Sequence, residues 1–279
     1  MGAQRLASLT RQRVKMLFPT LPQILQIYLL ALLLSTFAGV VLSEAWGNLP
    51  PRLGILIVEL SFFAIILLFV RRMAFKAEDV FLLNAVSWRS LVVSAVVAVS
   101  ANVLVAEVDG ALMELGRYAG IGFPLYLQRL LLDIQMVSDF ATLGERLLAV
   151  VLVPGILEEV AFRGFVFAGL CFYRGPVVAI LGSSFLFASF HLDPWHFPAV
   201  FLLGIVFGVL VWLPHSIYPA VLAHVTNNLV SVAGVNLQAH LGISYLAGEL
   251  PALMLLAAAF LFVVGLVLLK HETPIVPLP

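Results

Sequence analysis

The sequence predicts an all-α fold, a polytopic membrane helical bundle of about eight transmembrane helices. Three observations predict it. Apolar residues are 62% of the 279 and charged residues only 11%, whereas soluble domains hold about half and a quarter. Eight apolar runs reach, or fall slightly short of, the roughly 20 residues a helix needs to cross hydrocarbon. No stretch between them is polar enough for a separate soluble domain, so residues 1–279 read as a single membrane domain. The lipid bilayer is therefore a partner. The formal net charge is zero, which leaves no basic surface to neutralise phosphates and excludes nucleic acid. Cys171 stands alone, so no intrachain disulfide forms and a small apolar role near a helix end is expected.

The first three spans run from Gln23 to Leu42, Leu53 to Val70 and Ser90 to Ala106, each bounded by charged or Pro/Gly-containing segments. The fourth, Leu143 to Leu170, is longer. It begins at Thr142-Leu143-Gly144-Glu145, whose Thr-x-x-Glu form predicts a capping box. Spans five to eight are Pro176 to Phe190, Phe197 to Trp212, Ile217 to Ala233 and Leu250 to Leu269. Between Gly110 and Phe140, charges mixed with Leu-Tyr-Leu-Gln-Arg-Leu-Leu-Leu suggest an interfacial amphipathic helix. Arg5, Arg11, Arg13 and Lys15 precede a first run too long for a signal-peptide core, which predicts a retained anchor. These residues, the Arg71-Arg72-Lys76 loop, Arg174 and Lys270 fall on one side of an eight-span chain. By the positive-inside rule both termini are then cytoplasmic. Few polar loops and no Lys-Asp-Glu-Leu tail favour a prokaryotic plasma membrane.

An ionisable side chain within a span costs about 2.5–3.5 kcal/mol on insertion scales, so one that is retained faces a cavity or a partner. Span four holds three such residues, Glu158, Glu159 and Arg163. Glu159 and Arg163 lie four apart on one face, within pairing reach. Glu158 is rotated by about 100° from Glu159 and calls for a reason of its own. A general base for water supplies one. Pro154, one turn earlier, removes an amide hydrogen and crowds the Val150 carbonyl, kinking the helix. His191 ends span five within Phe187-Ala188-Ser189-Phe190-His191. Read alone, it is better explained by a hydrogen-bonded helix end, and His196 carries less weight still. In span seven His224 and Asn228 lie four apart and share a face. Two donors aimed at one point stabilise an oxyanion during acyl transfer, while Asn227 reads as glue between helices. Gly204-x-x-x-Gly208 reads as close helix packing. Glu59 in span two has three readings: facing the cavity, protonated, or paired with a base on another helix.

Glu-Glu-x-x-x-Arg, Phe-x-x-x-His and His-x-x-x-Asn, in that order on successive helices, resemble the CPBP intramembrane proteases. That family includes the type II CAAX prenyl proteases and bacteriocin-processing or immunity relatives. The resemblance covers about Leu147 to Ala233, within a motif-bearing core taken as residues 142–233. It implies a glutamate-dependent endopeptidase of about eight spans, needing no cofactor. Glu158 would be general base on a water, His191 would help hold that water, and His224 with Asn228 would bind the carbonyl oxygen. Glu159 and Arg163 would organise the site. The implied substrate is a membrane-associated peptide or protein, of the lipidated CAAX kind or a leader or signalling peptide. Two alternatives remain open from the residues themselves. A zinc peptidase would draw Glu158, His191 and His224 into an open metal site, although His-Glu-x-x-His is absent. A non-proteolytic immunity or peptide-binding protein would use the same polar cluster for recognition. A proton-coupled transporter ranks last, since no internal repeat is visible.

Overall fold

In a computed structural model, residues 17–47, 50–241 and 250–272 are described. The basic amino-terminal residues and the last seven lie outside the described residues. Helices α1 (Leu21–Trp46), α2 (Pro51–Arg72) and α4 (Trp88–Tyr118) bracket a single turn, α3 (Ala77–Val80). They are followed by α5 (Leu125–Gln135) and a continuous helix, α6 (Phe140–Arg174). The chain ends in α7 (Pro176–Phe190), α8 (Phe197–Trp212), α9 (Tyr218–Leu241) and α10 (Ala252–Glu272). Among the described residues six helices are long and apolar enough to cross a bilayer. The protein is an all-α, multi-pass membrane bundle. Helices α7 and α8, of 15 and 16 residues, rise only about 1.5 Å per residue. Both fall short of a roughly 30 Å hydrocarbon core, and both pack on each other and on the middle of α6.

Several helices run past the limits the sequence suggests, α1 to Trp46 and α9 to Leu241 among them, and two further differences have a local cause. The cap of α6 is Asp139, whose carboxylate accepts from the Thr142 amide at 2.8 Å while Thr142 Oγ1 accepts from the Asp139 amide at 2.9 Å. Thr142 is therefore the third helical residue of the box and not its cap, because Asp139 offers the earlier acceptor. Glu145 pairs instead with Arg52 of α2. The segment taken as one interfacial stretch is also divided. Its first part continues α4 to Tyr118, where Gly120 at φ 76° turns the chain in a left-handed conformation that suits glycine. Only Leu125–Gln135 forms the separate short helix.

Helix α6 is the axis of the bundle. Every residue from Ala161 to Leu170 is buried. Its hydrogen bonding slips to the wider π pattern over Leu147–Leu152 and again over Val160–Val166. Phe162 lies at the centre of an aromatic cluster with Phe62 of α2 and Phe187 and Phe190 of α7, at centroid distances of 5.5–5.7 Å. Gly204 and Gly208 let α8 approach the α7 backbone. A Cβ on Gly204 would stand 3.1 Å from the Ser184 Cα, and one on Gly208 would stand 3.4 Å from the Ile180 Cα. Asn227 accepts from Asn102 of α4 at 2.8 Å, an interhelical bond of the kind expected.

Candidate active site

Pro154 cannot donate to the Val150 carbonyl, and the first π segment lies immediately before it. Asn228 Nδ2 donates to that carbonyl at 3.1 Å. The kink is thus tied to α9, and the amide of Asn228 is oriented by it. One residue further, Gly155 lies so close to α9 that a Cβ would stand 2.7 Å from Val225 Cγ2 and 3.1 Å from the Val225 backbone nitrogen. This approach brings the two glutamates level with His224, the residue before Val225.

Glu159 and Arg163 are fully buried and paired at 3.0 Å. Arg163 also donates to the Gly204 carbonyl at 3.1 Å, and its guanidinium lies 4.1 Å from the centroid of Phe187. The same Glu159 oxygen, Oε1, accepts from His224 Nδ1 at 2.8 Å. A carboxylate accepts only, so the proton belongs on Nδ1. Nε2 of His224 is thereby aimed at Glu158, 3.9 Å from Oε2. Glu158 is 5% exposed, and its Oε2 has no hydrogen-bond partner among the described residues. The helical rotation that was expected to separate the glutamates does not do so in effect, because one imidazole meets both through its two nitrogens.

His191 caps the end of α7. Its Nδ1 bonds the Phe187 carbonyl at 2.9 Å, which leaves Nε2 outward, and unlike His224 it is exposed. The next residue, Leu192, has φ 52°, a left-handed conformation that ends the helix at once. The ring of Phe187 lies between the two imidazoles, edge-on to His191 at 4.9 Å and to His224 at 5.6 Å. The structure therefore joins His191 to the buried cluster through Phe187. His196 lies apart, held by Asp193 at 2.7 Å and facing Asp109 at 3.7 Å. No group of three His, Cys, Asp or Glu among the described residues is arranged to hold a metal ion.

The family model described as type II CAAX prenyl endopeptidase Rce1-like matches residues 142–230. Over those residues, under a third of the chain, the protein is similar to that protease family. No curated protein and no solved structure matches the chain. The matched segment holds the cluster just described, from Glu158 to Asn228.

Two contacts of the candidate site were not legible in the sequence. One is the Val150 carbonyl as acceptor for Asn228; the clash of Pro154 with that carbonyl was the available signal, but not which side chain would answer it. The other is Glu59. It lies outside residues 142–230, on α2, with its buried carboxyl against that of Glu158. Its charge inside an apolar run was the signal.

Proposed function

We propose that the chain is an intramembrane endopeptidase using glutamate-activated water, with residues 142–233 as the catalytic core of a single membrane domain. One observation carries the reading. Glu158 Oε2 is buried, has no hydrogen-bond partner among the described residues and lies 3.9 Å from His224 Nε2. One oxygen atom can sit at hydrogen-bond distance, about 2.8 Å, from both. Glu158 takes the proton as the water oxygen attacks the peptide carbonyl, then returns it to the amine as the carbon–nitrogen bond breaks. His191 steadies the water from the exposed side. Asn228 has two amide hydrogens; one goes to Val150 and the other is left for the developing oxyanion. His224, its Nδ1 hydrogen on Glu159, offers a second donor from Nε2 when it is imidazolium. Glu159 and Arg163 hold that ring in place.

The proposed substrate is a membrane-associated protein tail of the prenylated CAAX type, cut in a multi-pass protein whose two termini face the cytoplasm. The experiment is hydrolysis of matched prenylated and unprenylated carboxyl-terminal peptides by purified protein in lipid discs. Glu158→Gln is expected to lower turnover by about 10²–10⁴-fold, and chelators to leave it unchanged. Turnover persisting in Glu158→Gln ends the reading, and loss under chelation with recovery on added zinc replaces it by the zinc peptidase.

A further inference from the structure

Glu59 and Glu158 project from different helices into the same buried space, each 5% exposed. Their helices are held in register one turn further on. Phe62 follows Glu59 and Phe162 follows Glu158, and the two rings stack at 5.7 Å with planes 23° apart. The carboxyls are in contact, and Oε2 of each is buried with no donor among the described residues. Two carboxylates are acceptors only, so the contact becomes a hydrogen bond only when a proton lies between them. Two carboxylates at one apolar site do not both stay charged.

Charge balance leads to the same count. The groups facing the pair are Glu159 and Arg163 on α6 and His224 on α9, with His191 reaching the cluster through Phe187 on α7. On α1, Tyr28 packs against Phe62 and Phe162, and its hydroxyl donates to the Leu186 carbonyl at 3.2 Å. Arg163 offsets Glu159, and His224 can offset at most one further carboxylate. A third carboxylate has no cation to meet it among these neighbours and needs a proton.

We propose that Glu59 is a positioning residue that shares one proton with Glu158, donating to one of its oxygens and so holding the other in place as the base. It rests on the peptidase reading above. At rest, protonated Glu59 donates to one Glu158 oxygen and leaves the other facing His224. When water adds to the peptide carbonyl, its proton passes to Glu158 and both carboxyls are neutral. When the carbon–nitrogen bond breaks, Glu158 gives that proton to the leaving amine, and the pair holds one proton again.

Two measurements test this. Infrared difference spectra of wild type against Glu59→Gln, in lipid and without substrate, are expected to contain the carbonyl stretch of a protonated carboxyl. A difference confined to carboxylate bands overturns the proposal. In the hydrolysis assay the wild type is expected to lose activity at alkaline pH as the shared proton leaves. Glu59→Gln cannot titrate but still donates, so it should keep kcat within about threefold while losing that alkaline limb, whereas Glu59→Ala drops kcat by about tenfold or more. An alkaline limb unchanged in Glu59→Gln also overturns it. The failures are separable. The infrared band in a protein without turnover upholds the pair and removes the peptidase, while Glu158-dependent turnover with no band does the reverse.

Discussion

Helices α10 and α6 are both apolar runs long enough to cross a bilayer, but they meet different neighbours. Helix α10 buries Ala258, Gly265 and Leu269, a single stripe, with Gly265 in close contact with Val97 of α4. Leu253, Leu256 and Phe260 are two-thirds or more exposed. Helix α6 is enclosed on all sides at its centre and buries Arg146, Glu158, Glu159 and Arg163. Its backbone leaves regular α bonding on both sides of the glutamates. A lipid-facing helix needs only apolar surface, because its backbone bonds are internal. An enclosed one can hold charge, provided neighbouring helices supply partners and its own backbone yields to meet them.

Breaking the enclosed helix should have the largest effect. Glu159→Ala leaves Arg163 buried without its carboxylate and frees His224. A loss of about 3–5 kcal/mol is expected, seen as a lowered unfolding midpoint in detergent. On the lipid-facing helix, Leu256→Asp should impair insertion by about 2.5–3.5 kcal/mol, measured by glycosylation mapping. Leu256→Ala at the same place should stay within about 0.5 kcal/mol of wild type in detergent unfolding. Equal effects of these two Leu256 changes would erase the contrast between the helices.

Finer tests address how α6 is held. Gly155→Ala drives a methyl into the Val225 backbone. It should cost about 1–3 kcal/mol in thermal unfolding and lower turnover by moving Glu158 from His224. Asn228→Ala strands the Val150 carbonyl at about 1–3 kcal/mol and should lower kcat more than it raises KM. The smallest effect belongs to the cap. The Thr142 backbone amide holds the Asp139 carboxyl below the usual carboxylate range. Its contribution to stability is therefore complete above the unfolded value and is lost as pH falls through the lowered folded value. Asp139→Asn should remove that acid-side slope from the pH dependence of unfolding.

Spans five and six were legible to the residue, because Pro and Gly punctuate both. The pairing of Glu159 with Arg163 followed from spacing within one helix. The start of α6 was displaced by three residues, since two overlapping sets of polar residues offer caps and only the folded geometry selects Asp139. Likewise, Glu59 and Glu158 are ninety-nine positions apart, and no periodicity within a helix relates them.

By itself the sequence determined an all-helical membrane chain, the order of its motif-bearing helices and the residues able to do acid–base chemistry. These follow from composition and from periods of three and four residues, which act within one helix. Only the tertiary structure decided that Asn228 answers Val150, that His224 lies between two glutamates, that Phe187 separates the imidazoles, and that Glu59 meets Glu158. Each of those contacts joins residues on different helices, and their register is set by close approaches such as Gly155 on Val225, which depend on the three-dimensional packing of whole helices.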